Sequence, residues 1–158
     1  MNCPDLYVSF GLRGRAVRTM FVGAGHTLPG TVIAMVRISR REFERLVLKA
    51  LDDLPSSIRS RMDNVDIVVH DWASGDALAG VGLRHPGELF GLYQGIPLTE
   101  RSHYDMVLPD RIAIFRKPIE AVCATRSDVV REVRATVIHE IAHHFGISDA
   151  ALGETRYG

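Results

Sequence analysis

Near its C-terminal end the chain reads His139-Glu140-Ile141-Ala142-His143-His144-Phe145-Gly146-Ile147-Ser148-Asp149. Few stretches restrict the possible folds as tightly. His139 and His143 are four residues apart, so on a helix they project from one face, where both imidazoles can grip a single metal ion. Glu140 sits about 100° round the same helix, placed to take a proton from a metal-bound water and not to bind the ion. Gly146 allows the helix to end in a left-handed turn. The chain can then double back and bring Asp149 to the ion as a third, oxygen ligand. Two nitrogens, one carboxylate oxygen and a water would complete a tetrahedral zinc site with one open position.

The bare His-Glu-x-x-His spacing arises by chance in roughly two chains in a hundred of this length. Gly146 and Asp149 at set distances lower that rate by a further factor of roughly 400. Asp149 is the less constrained ligand of the three, because the turn at Gly146 must deliver it and Glu154 lies close enough in sequence to compete. His144 points about 100° away from His143, which predicts a hydrogen bond to a neighbour or a solvent-facing ring. His70, His85 and His103 fall in or beside loops. Any of them, or Tyr93 or Tyr104, is a candidate to stabilise an oxyanion, and a structural role is the alternative for each.

At 158 residues, 46% hydrophobic and 24% charged, the chain has the size and apolar content of one domain. Nineteen basic residues balance nineteen acidic ones. No global field draws the protein to nucleic acid or to an anionic membrane, so substrate choice must come from a local groove. Cys3 and Cys123 are too few for a disulfide framework and are not spaced as a metal knuckle, which predicts free thiols in the cytoplasm. The longest apolar run near the N-terminus, Val32 to Val36, is far short of a membrane span, and no signal-peptide run precedes it.

Residues 1–36 show no sustained period and are broken by Gly11, Gly14, Gly23, Gly25, Pro29 and Gly30. They predict a poorly ordered arm with at most a short strand around Phe21, and Met35 is an alternative translation start. From residue 37 the pattern is regular. Ser39 and Glu42 form a Ser-x-x-Glu capping box, after which Phe43, Leu46, Val47, Ala50, Leu51 and Leu54 recur at helical spacing until Pro55. A short helical turn over Ser56 to Met62 precedes a strand at Val65, Ile67 and Val69. Residues 71–87, with four glycines and Pro86, predict a long loop, either a flap over a site or a plain surface excursion. Strands follow at 89–93 and at 111–115, the latter ending at Pro118, with a short helix near Ile119 to Val122. Ser127 or Asp128 caps the metal helix, whose Val129, Val130, Val133, Val137, Ile138 and Ile141 supply apolar faces. The expected architecture is a mixed α+β domain, a small mixed sheet packed against helices on one side, the metal helix among them.

The segments Glu42-Phe43-Glu44-Arg45-Leu46-Val47, Ala50-Leu51-Asp52-Asp53-Leu54-Pro55, Leu92-Tyr93-Gln94-Gly95-Ile96-Pro97-Leu98, Leu108-Pro109-Asp110-Arg111-Ile112 and His139 to Ile147 resemble the bacterial minimal zincins, a small family of zincin-like metallopeptidases. The resemblance covers roughly residues 37–152 and leaves the N-terminal arm outside it. It implies a compact zincin core without the C-terminal subdomain of larger zinc proteases, zinc held by His139, His143 and Asp149, and Glu140 as the base. The His-Glu-x-x-His-x-x-Gly-x-x-Asp spacing is also similar to the start of a metzincin signature, but metzincins place a methionine turn beneath the metal and no Met follows Met106. The rRNA-maturation metallo-endonucleases use a third His where this chain has Asp149, and lack the Glu140 base.

Three functional classes are consistent with these residues. A zinc peptidase would hold an extended peptide by strand addition to an exposed edge, with 89–93 or 111–115 as the candidate strand. A zinc-binding interaction module would keep the site with its hydrolytic machinery vestigial. A metal-dependent hydrolase of a non-peptide amide would use the same water. An intact Glu140 favours the enzymes, since a purely structural metal usually closes its fourth position with another protein ligand.

Overall fold

The computed structural model describes residues 36–101 and 109–154. The expected N-terminal arm, its strand near Phe21, the alternative start at Met35, His103 and Tyr104 lie outside the described residues.

The first helix, α1 (Arg40–Asp52), begins where Ser39 Oγ accepts from the Glu42 backbone N–H at 3.2 Å. The expected reciprocal bond from Glu42 is replaced by a longer reach, for its carboxylate accepts from Arg126 Nε at 2.7 Å and ties α1 to the metal helix. The apolar stripe turns inward through Phe43, Val47 and Ala50. Pro55 then opens a single helical turn, α2 (Ser56–Arg59), shorter than the expected 56–62. Asn64 adopts φ 61°, a left-handed conformation its short polar side chain tolerates, and directs the chain into β1 (Val65–His70).

Among the described residues the sheet has three strands in the order β1, β3, β2, with β2 (Gly91–Gln94) antiparallel and β1 parallel to the central β3 (Asp110–Phe115). It is the mixed sheet expected. Strand 111–115 is nevertheless wrong as a substrate edge, because a neighbour occupies each of its sides. Period-two alternation divides the side chains. Val69, Tyr93, Ile112 and Ile114 enter one core with Phe43, Val47, Val133, Val137 and Ile141, while Leu92, Ala113 and Phe115 enter a second core on the far face.

That second core corrects the reading of residues 71–87. They are neither a flap over the metal helix nor an idle excursion. Ser74 caps a helix, α3 (Gly75–Gly80), and Leu78, Val81, Leu83 and Leu89 pack on the sheet face opposite the metal helix, so helices cover both faces and not one side as expected. The strand at 110–115 also ends three residues before Pro118, since α4 (Arg116–Val122) starts at once and accepts the proline within its first turn. The long helix α5 (Arg126–His144) then packs on α1, β2 and β3. No helix of the described residues is long and apolar enough to cross a membrane. Cys123 is a buried free thiol, pushed up to about 12 by burial and then by the nearby Glu132 and Asp128 charges, so it stays protonated.

Where α4 leaves the sheet, an ion network centred on the buried Glu120 closes the domain. Glu120 accepts from the Ile38 N–H at 3.1 Å, Arg116 Nη1 at 3.0 Å and Lys117 Nζ at 3.1 Å, and Arg116 forks onto both Asp71 oxygens at 3.0 Å. Removing one member strands the others in a poorly solvated place. Glu120→Ala should therefore lower stability by about 3 kcal/mol, read as a shifted urea midpoint at constant slope. A midpoint within error of wild type would show that solvent already screens the cluster.

Candidate metal centre

Local sequence builds the metal helix from both ends. Its N-cap is Thr125, two residues before the expected Ser127. Thr125 Oγ1 accepts from the Asp128 N–H at 3.2 Å while the Asp128 carboxylate accepts from the Thr125 N–H at 2.8 Å, a reciprocal capping box. Asp128 thus contributes from the third helical position instead of the cap. At the other end Gly146 has φ +80°, its N–H donates to His143 O at 2.9 Å, and the Ile147 N–H donates to Ala142 O at 3.0 Å. This pair of bonds is a Schellman termination, which needs a residue free of the Cβ penalty at Gly146. A side chain there would also collide with Thr99. The reversed chain enters a short helix, α6 (Asp149–Glu154), with Asp149 as its first residue.

The consequence is convergence. His139, His143 and Asp149 offer three donor atoms that all lie within 4.8 Å of one another. His139 Nε2 and His143 Nε2 are 3.2 Å apart, and Asp149 Oδ1 lies 2.9 Å from the first and 3.5 Å from the second. Donors about 2.05 Å from a tetrahedral zinc ion stand about 3.4 Å apart, so the set fits that ion without rearranging the backbone. The His143 tautomer is settled by its other nitrogen. Nδ1 lies 3.0 Å from the Ile147 carbonyl oxygen, which can only accept, so in the neutral ring Nδ1 carries the proton and Nε2 presents a lone pair. The Glu154 side chain, the alternative third ligand, lies outside the described residues.

Glu140 is fully buried against β2. A Cβ added at Gly91 would stand 2.5 Å from Glu140 Oε1 and 2.8 Å from both its Cδ and Cγ, so only glycine lets this strand pass the carboxylate. A glycine inside a strand pattern marks either a bulge or a close backbone approach, and here it is the approach of the Glu140 side chain that requires it.

His144 does not join the metal ligands. Its buried Nδ1 donates to Asp110 Oδ2 at 2.7 Å, and the same oxygen accepts from Tyr93 Oη at 2.7 Å and from the Arg101 guanidinium. Burial first, then the Asp110 carboxylate, raises the Tyr93 phenol well above its ordinary value. Tyr93 therefore remains a donor to Asp110 inside the core and is not an oxyanion ligand. His85 caps a turn, its Nδ1 accepting from the Gly87 N–H at 3.0 Å, and His70 sits exposed at the end of β1. Sequence reading gave Asp110 no role and passed over Arg101. The signals for Asp110 are its place directly before a strand and within a segment that carries the resemblance.

The donor triad has its own pH signature in the metal-free protein. Burial acts most strongly on His143 and favours its neutral form, but the hydrogen bond to Asp149 and the charges of Glu140 and Asp149 outweigh it and hold the imidazole above its ordinary value. For Asp149, burial is again the largest influence and is overcome by hydrogen bonds from His139 and His143, which hold the carboxyl well below the usual range. The raised His143 stabilises the fold fully below its unfolded value of about 6.5 and loses that contribution as pH rises through the folded value. The depressed Asp149 contributes above about pH 4 and loses its contribution as pH falls through the folded value. Zinc-free protein should thus melt slightly higher at pH 6 than at pH 8, the effect kept small because the Asp149 side chain is 44% exposed. Asp149→Asn should erase the difference in a calorimetric scan; an unchanged pH slope in that variant would detach Asp149 from the histidines.

Comparison with curated proteins finds no match. Comparison with protein families finds one described as zincin-like metallopeptidase, matching residues 62–158, a span that takes in all three strands, the metal helix and the three converging donors. The chain belongs to the zincin-like metallopeptidase family.

Proposed function

We propose that the protein is a zinc-dependent metallopeptidase, its catalytic domain spanning residues 37–158, that hydrolyses peptide bonds in extended chains. The observation that carries this reading is the meeting of two imidazoles and a carboxylate at tetrahedral spacing, with the Glu140 carboxylate one helical position away and set against an edge strand. His139, His143 and Asp149 would hold the ion. Zinc in such a site supplies the Lewis acidity that makes water nucleophilic at neutral pH. Glu140 takes a proton from the attacking water as its oxygen adds to the scissile carbonyl carbon. As the C–N bond breaks, the same carboxyl delivers that proton to the departing amine nitrogen. The Ile147 carbonyl, by holding the His143 Nδ1 proton, leaves the opposite nitrogen free to bind the ion that His139, His143 and Asp149 would hold.

Substrate would add to β2, the strand beside the metal helix. The Phe115 N–H donates to Phe90 O at 2.8 Å, so these opposed residues form a bonded pair and the alternation repeats at Leu92 and Gln94. The N–H and C=O groups of Gly91 and Tyr93 consequently face away from β3. Gly91, Leu92 and Tyr93 are buried, so an extended peptide would pair with these groups as a further strand only after what covers them gives way.

Two variants test the chemistry. Glu140→Gln preserves shape but cannot take up a proton, so zinc content by elemental analysis should persist while turnover falls by 10² to 10⁴-fold, roughly the range for a lost general base. Cleavage is read by mass spectrometry on a denatured proteome. Gly91→Ala should keep its zinc and lose about 10²-fold in kcat, because the new methyl displaces the carboxylate by about an ångström. Wild-type protein that binds one zinc and cuts nothing, with Glu140→Gln binding a partner protein equally well, would transfer the assignment to an interaction module.

A further inference from the structure

On the sheet face opposite the metal helix a groove of about 320 Å³ remains between β3 and α3, near the lower end of the roughly 300–1,000 Å³ that small-molecule sites occupy. Period-two alternation sets its order. Arg111, Ala113 and Phe115 of β3 share this face, since Ile112 and Ile114 point into the other core. At one end Arg111 stands beside its cross-strand partner Gln94. In the middle Ala113 and, from α3, Ala77 line the gap, and both side chains are too short to fill it. At the other end Phe115 and His70, register partners whose ring centroids lie 6.4 Å apart, meet Trp72, which is 48% exposed. From Arg111 to Phe115 is four strand residues, about 13 Å. No small ion or single side chain touches both ends, so a ligand that uses the whole groove must be elongated.

Polarity then selects the chemistry. Arg111 is exposed and forms no ion pair among the described residues, and no carboxylate lines the groove. A guanidinium fork with an amide N–H beside it matches the two oxygens of a carboxylate. A phosphate dianion fits less well, because the groove offers one cation and Asp66 neighbours Arg111 across the β1 register, although outside the lining. Beyond Arg111 and Gln94 the lining is apolar or aromatic except for the Ser74 hydroxyl and the His70 ring, which suits a hydrocarbon chain. We infer that the groove binds an extended monocarboxylate, a fatty acid of medium chain length, with its head on Arg111 and Gln94 and its tail ending against Trp72. A chain of about ten carbons spans the distance. The site needs nothing from the peptidase reading, for the sheet separates it from the metal helix.

Trp72 is the chain's single tryptophan, so its fluorescence reports on the aromatic end of the groove. The full-length protein is titrated with decanoate, 1-decanol, decylamine and hexanoate, each kept below the concentration at which it forms micelles. Decanoate should give a saturable change and bind about fivefold tighter than decanol, the scale of an ion pair open to water, with decylamine weakest. Hexanoate should bind roughly tenfold more weakly than decanoate or worse, because its chain stops short of the aromatic end. Arg111→Gln should bring decanoate down to the affinity of decanol and leave decanol unchanged. Ala77→Leu fills the middle of the groove and should weaken both by roughly tenfold, with circular dichroism unchanged in each variant. The inference is overturned by the lack of a saturable decanoate signal, by equal binding of the three ten-carbon compounds, or by an Arg111→Gln protein that still prefers decanoate to decanol. Wild-type affinity for decanoate in folded Ala77→Leu protein would overturn it as well.

Discussion

The buried Asp110 carboxylate is the contact on which the rest of the molecule depends. It opens the central strand, is 1% exposed, and accepts from Tyr93 of β2, His144 of α5 and Arg101 of the connection between β2 and β3. A carboxylate taken from water without partners would be very costly, and three donors, one of them a guanidinium, offset that cost. The arrangement also fixes position. Apolar packing of Val133, Val137 and Ile141 would tolerate a small slide of the helix along the sheet, whereas a hydrogen bond of 2.7 Å to His144 does not. Because His144 is adjacent to His143, locking one ring fixes the axial position and rotation of the other.

Adjacent histidines therefore divide two tasks. His144 faces the sheet and anchors, and His143, also buried, faces His139 and Asp149 with its tautomer set by Ile147. Glycines serve the same precision by absence. Gly91 lets a strand pass the Glu140 carboxylate, and Gly95 lets the chain pass Asp110 and Tyr93, where a Cβ would collide with the Asp110 carboxylate and come within 2.7 Å of the Tyr93 hydroxyl. Both lie on the β2 side of the metal helix, so the same strand that closes the core also shapes the site.

Much of this was legible in the sequence because it is local. Helical spacing, the Ser39 cap, the turn at Gly146 and the return of Asp149 follow from neighbours within a few residues, and the structure places them as expected. What escaped was non-local. Strand order depends on pairing across tens of residues, so 111–115 was as good an edge candidate as 89–93 until β1 was seen to pair with it in parallel. The α3 segment looked like a loop because of its glycines, and it becomes a helix only because Leu78 has a sheet face to cover. Glu42 sits at capping-box spacing, yet Arg126, distant in sequence, outcompetes the backbone for it. Asp110 and His144 are likewise 34 positions apart.

The three donors are not held alike. His143 is 2% exposed and His139 18%, both on a long helix locked to the sheet, whereas Asp149 is 44% exposed on a six-residue helix that follows the chain reversal. Two candidate ligands are thus preorganised by the core and the third by a turn whose bonds run from Gly146 and Ile147 back to the metal helix. An ion bound to all three would add a further tie between α5 and α6. Ordering of the C-terminal helix would then rise with occupancy of the site.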